Sequence, residues 1–248
     1  METHQEEVLI VSRTKMESGV CVGGIGLTSK KNLRINKESF KTPPTELAMN
    51  MEELSAVLEE RKKKGTADQQ ETQQIVSIQS VNIDDLNIGD IFSMSYNHEP
   101  NLVHPHIEDI RIKNAKLIKK IDLTEVKSYI YSLEVTIWEG GLDSVFDGLL
   151  KFYSEDRGAA YVAESSGFPS CSVGFWLPDG DLLFVENKYD GKIKRRYCYG
   201  LKRMAYVGFE DPISVIQSGT LVRLSLPRPK KFDEVEPRCY LQLSGWYN

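Results

Sequence analysis

A mainly β protein is predicted, arranged as two small, strongly bent units, and three observations predict it. Short β-branched runs separated by turn residues recur along most of the 248 residues. Glycines sit inside these runs where tight curvature or bulges need them, as in Gly19-Val-Cys-Val-Gly-Gly-Ile-Gly-Leu27. No internal repeat of roughly 20–50 residues is present, which disfavours solenoids and propellers.

The elements follow in order. Val8–Ser12 and Gly19–Leu27 read as closely connected strands, and Asn32–Asn36 as a third with Leu33 and Ile35 on one face. After Thr42-Pro-Pro-Thr45, residues 46–64 place Leu47, Met51, Leu54 and Leu58 at helical spacing. Acids come early and lysines late in that segment, which complements the helix dipole, and Gly65 stops it. The Arg61–Lys64 run is a solvated helix end, and 68–74 is a polar loop. Residues 41–74 are therefore a helical excursion between strands. Strands resume at 75–78 and 81–83, and Ile88-Gly-Asp-Ile91 opens another over 91–96. Further strands are read at 106–112 and 117–121. A helix is expected over 123–131 and a short one over 143–151, with Asp143 as its N-cap. Seven strand candidates then follow, at 160–163, 171–176, 181–185, 192–199, 205–208, 220–226 and 238–246. The boundary falls between residues 1–121 and 122–248.

Composition bounds the rest. With 40% hydrophobic and 27% charged residues, the chain is of ordinary globular type and long enough to bury a sizeable core. No apolar run reaches the length of about 18 residues that a spanning helix needs. The N-terminus, Met1-Glu-Thr-His-Gln-Glu-Glu7, is acidic where a signal peptide is basic, so a cytoplasmic protein without membrane contact is expected. Cys21, Cys171, Cys198 and Cys239 lack CxxC spacing and suit reduced, buried thiols.

One segment departs from the net charge of -5. Lys188–Arg203 holds seven cationic side chains, one acid and three tyrosines in sixteen residues. Lys192, Lys194, Arg195, Arg196, Lys202 and Arg203 are candidate phosphate contacts, and Tyr197 and Tyr199 candidate stacking rings. Strand alternation separates Lys192, Lys194 and Arg196 from Ile193, Arg195 and Tyr197. If the second row faces inward, Arg195 needs a partner or a register shift that places it at a loop or bulge. A solvated hairpin is the competing reading. Arg223 is expected to border the same face. With Arg223, residues Arg228, Lys230 and Lys231 form a second cationic group, which Asp233–Glu236 largely cancels and which extends the first basic surface if the two loops meet.

Other motifs carry less. His98, His104, His106, Glu108 and Asp109 are the ligand-like cluster, but their order matches no metal motif, and loop histidines with a turn cap explain them equally well. Gly23-Gly-Ile-Gly26 lacks the Lys-Ser/Thr ending of a phosphate loop and reads as strand curvature. Ser165–Cys171 has no nucleophile-elbow pattern. Trp138, Trp176 and Trp246 read as core. No catalytic residue and no cofactor is expected.

Arg13-Thr-Lys-Met16, Gly19–Ile25, Ile88–Ile91, Pro105–Asp109, Gly219–Leu226 and Arg238–Tyr247, taken together and in this order, resemble a bacterial family of dual OB-domain proteins. The resemblance implies two OB-like small β-barrels, with the helical insertion in the first and short helices at the start of the second. It also implies a setting in bacterial antiviral defence. It supplies no catalytic set. The expected function is a noncatalytic module for single-stranded or distorted nucleic acid, serving a partner nuclease or helicase. The rivals are a protein–protein adaptor in a defence complex, and a metal-assisted hydrolase using residues 98–109.

Overall fold

Val8, Leu9, Ile10 and Val11 are all buried, so this apolar run belongs to a strand covered on both faces. A computed structural model describes residues 2–16, 19–36, 39, 81–154, 157–189, 191–232 and 235–248. The helix read at 46–64, the Arg61–Lys64 run, the loop at 68–74 and the strand at 75–78 lie outside the described residues.

The first sheet contains β1 (His4–Met16), β2 (Gly19–Gly26), β3 (Asn32–Asn36), β4 (Asp90–His98) and β5 (Ile110–Lys120). Its order is β3-β2-β1-β4-β5, with antiparallel neighbours throughout. Register shifts between Ile10 and Ser12 and at two points of β4–β5 add twist. The outer strands approach through one parallel bridge, Arg34–Asp109, where Arg34 N donates to Glu108 O at 2.8 Å. Among the described residues no ladder joins them, so the sheet stays open.

Helix α1 (Leu123–Ser132) follows. Asp122 caps it: its carboxylate accepts from Thr124 N at 2.9 Å while Glu125 reaches back to Asp122 N at 3.2 Å. The second half comprises β6 (Ile137–Gly140), β7 (Lys151–Ser154), β8 (Arg157–Ala163), β9 (Val173–Pro178), β10 (Leu182–Tyr189) and β11 (Lys192–Tyr199). It continues with β12 (Lys202–Tyr206), β13 (Val215–Ile216), β14 (Leu221–Ser225), β15 (Lys230–Phe232), β16 (Val235–Tyr240) and β17 (Gln242–Tyr247). The main path runs β13-β10-β11-β12-β17-β14-β9-β6. Strand β12 forks: Lys202 and Arg203 pair with β8, whereas Ala205 and Tyr206 pair with β17. Strand β8 leads on to β16 and β7. Neither sheet closes among the described residues.

Three expectations are corrected locally. Residues 81–83 are not a strand, because Asn82 caps a 3-10 turn over Ile83–Asp85. Residues 143–151 are not a helix but two 3-10 turns followed by β7; Phe146 and Asp147 take φ of 51° and 59°, outside the helical region. The 238–246 run divides into β16 and β17 at Leu241, which bonds Ala160 and Ala205 instead.

The two faces of β1 enter different cores. Val8 and Ile10 pack with Val22, Leu33 and Phe92 inside the first sheet. Leu9 and Val11 pack with Val126 and Ile130 of α1 and with Phe175, Leu221 and Tyr247 of the second half. The Tyr247 hydroxyl also donates to Val11 O at 2.5 Å. A shared core thus crosses residue 121. All four cysteines are free thiols, and no described helix is long and apolar enough to cross a membrane.

Candidate nucleic-acid interface

The β10–β11 hairpin turns at Gly191, whose φ of 72° suits glycine. Its register pairs Val185 with Arg196 and Leu183 with Cys198, and β12 adds Arg203 opposite Cys198. Lys192, Lys194, Arg196 and Arg203 therefore stand on one side of the sheet. The opposite side carries Tyr197 and Met204 into the core of the second half. Lys192, Lys194 and Arg203 are exposed and make no ion pair among the described residues, and Arg196 donates to Asn187 Oδ1 at 2.8 Å.

The other predicted contacts are held elsewhere. Arg195 belongs to the row of Tyr197 but is exposed toward the hairpin end, where it pairs with the equally exposed Glu186 at 2.9 Å. Lys202 lies 4.5 Å over the Phe152 ring and pairs with Asp143 at 2.7 Å. Tyr197 is fully buried; its hydroxyl donates to Ile213 O at 2.9 Å, and burial pushes it up to about 12. It offers no stacking face, because the hydrophobic core has taken both sides of the ring. Tyr199 stands edge-on to Trp176 at 5.5 Å with its hydroxyl bound to Asp179, a bond that lifts its pKa to about 12.

Arg223 does not border the cationic face. It is 1% exposed, lies 4.8 Å over Phe175, and donates to Asn32 Oδ1 of the first half at 2.9 Å. A Cβ on Gly23 would come within 2.8 Å of its Nη2 atom. The glycine chosen for curvature therefore also admits a buried guanidinium.

Where β12 leaves β11, a groove of about 450 Å³ opens. Lys194, Arg195, Arg196 and Arg203 line it, over a floor that includes Ala159, Ala160 and Ala205. Its far wall is Tyr240, which pairs with Tyr161 across β16 and β8. Arg203 sits beside Ala159, so Tyr161, Tyr240 and Arg238 continue the same outward side. Lys151 joins this side opposite Tyr161. Glu236 brings an acid to the same side, where it accepts from Ser165 N at 3.0 Å. These residues escaped sequence reading because they stand roughly 30–40 positions either side of the hairpin, and only strand pairing unites them.

The 98–109 segment makes protein contacts. Asp109 binds Arg34 bidentately and Arg228 at 3.0 Å. Glu108 accepts from Ser172 N at 2.7 Å and from its hydroxyl at 2.8 Å, while burial raises the carboxyl. His106 Nε2 donates to Leu226 O at 3.0 Å, and burial lowers it to about 4. His98 packs against His4 and Tyr96. His104 precedes Pro105, away from these bonds. Among the described residues, no three His, Cys, Asp or Glu side chains gather to hold a metal. Lys230 and Lys231 are exposed on β15.

No protein-family model, curated protein or solved structure matches the chain.

Proposed function

We propose that the chain is a noncatalytic nucleic-acid-binding module whose contact surface is the outward side of β11 and β12 around the groove. The observation that carries this is the placement of Lys192, Lys194, Arg196 and Arg203 on one side of the sheet, without a carboxylate partner among the described residues. A protein of net charge -5 repels polyanions in general, so such a row creates a local attraction against that background. The first sheet supports an OB-like reading: its five antiparallel strands nearly meet at Arg34–Asp109, as in a partly open five-stranded barrel. In the defence setting that the resemblance implies, the module would present nucleic acid to a partner nuclease or helicase in the cytoplasm.

Salt titration of oligonucleotide affinity tests this. Each phosphate contact to a single strand contributes a slope of about -0.7, so a Lys194→Ala/Arg196→Ala/Arg203→Ala variant is expected to flatten it by about 2. Absent or salt-independent binding would reject the reading. One observation favours an adaptor as the second reading. Leu183, Val185 and Val215, exposed by 52%, 42% and 37%, form an apolar strip beside the cations that a protein partner would cover.

A further inference from the structure

We propose that Tyr240, backed by Tyr161 and Arg238, is the base-stacking platform of the groove, and that the ligand is an unpaired strand. This rests on the nucleic-acid reading above and specifies its substrate class. The register carries the two tyrosines onto the outward side, next to Arg203. Tyr240 lies half-buried at the groove wall, 5.8 Å from the Tyr161 ring. Tyr161 is 7% exposed and lies beneath the Arg238 guanidinium at 4.1 Å. The lower ring is thus clamped, and the upper ring is held in place before a ligand arrives, which reduces the ordering cost of binding.

The groove floor supplies the complementary feature. Alanines at 159, 160 and 205 leave about 450 Å³ open beside Tyr240, room of the size that small planar ligands occupy. Arg196 and Arg203 border the same space and would take the phosphates that flank a stacked base. A duplex cannot use this arrangement, since its base faces are stacked on one another. Only a strand with free bases engages the ring and the cations together.

The test compares three fluorescent probes on the full chain: a single strand of roughly twelve nucleotides, the same strand annealed to its complement, and an abasic strand of equal length. The base-bearing single strand is expected to bind most tightly. Tyr240→Leu is expected to weaken it by about 5- to 150-fold, which is 1–3 kcal/mol per stacked base converted at tenfold per 1.4 kcal/mol. The abasic strand and the salt slope should not respond to that variant, and Tyr240→Phe should bind as the wild type does. A 5-iodouracil strand should crosslink at Tyr240 in the wild type, a readout independent of how the variants fold. Equal affinity for all three probes, or adducts away from Tyr240, would overturn the platform while salt-dependent binding kept the nucleic-acid reading. Failure of every probe to bind would reject both.

Discussion

Tyr197 and Arg223 have the chemistry of ligand contacts and use it inside the protein. Their residue types were legible in the sequence; their side of the sheet was not, because alternation separates two rows without saying which one meets the core. Arg223→Met is accordingly expected to leave oligonucleotide affinity and its salt slope unchanged, measured on the same probes. Gly23→Ala tests the close packing at this point: its Cβ would press on Ser12 Oγ first and stand 2.8 Å from Arg223 Nη2. Overpacking of this kind costs about 1–3 kcal/mol, visible as a melting temperature lower by about 2–4 °C per kcal/mol. His106 sets a pH response. Its imidazole titrates at about 4 when folded, against the ordinary 6.5 of a solvated imidazole, so the unfolded chain takes up a proton first as the solution is acidified. Stability from this group is complete above pH 6.5 and declines by about 3 kcal/mol toward pH 4. Glu108 acts in the opposite sense, since its raised pKa removes stability as pH climbs past 4.5. His106→Gln keeps a donor for Leu226 and should flatten the fall in melting temperature between pH 6.5 and 4. An unchanged fall would refute the assignment.

At the scale of the element, the β10–β11 hairpin shows how an ion pair within a strand pair tunes a surface. Glu186 occupies Arg195 across the strands, which keeps one groove-lining cation from a full phosphate contact. Glu186→Gln is expected to steepen the salt slope by about 0.7, the increment of one phosphate, in a fluorescence titration against salt. The hairpin itself was readable from its alternating residues and turn glycine. So was α1, whose capping box Asp122–Glu125 is a local signal. The 143–151 helix misled because Asp143 has cap chemistry, yet it reaches the distant Lys202, and the next turn has left-handed backbone. Strands as short as Val215–Ile216 carry no periodicity to detect; neighbouring strands alone define them.

For the whole molecule, the sequence-level boundary at 121 divides elements that share one core. Leu9 and Val11 from one half meet Phe175, Leu221 and Tyr247 from the other across α1. One cooperative unfolding transition is expected by calorimetry, and Leu9→Ala should shift it down, at a cost of about 2–5 kcal/mol, without splitting it. Two separate transitions would contradict the shared core. The β class was legible from short runs and turns, whereas sheet order was not, because pairings such as β12 with both β8 and β17 join segments far apart in sequence. That fork has a mechanical outcome. A strand that gives its first half to one neighbour and its second half to another acts as a joint, and Leu241, bonded to both Ala160 and Ala205, ties the two branches to each other as well as to the strand they share.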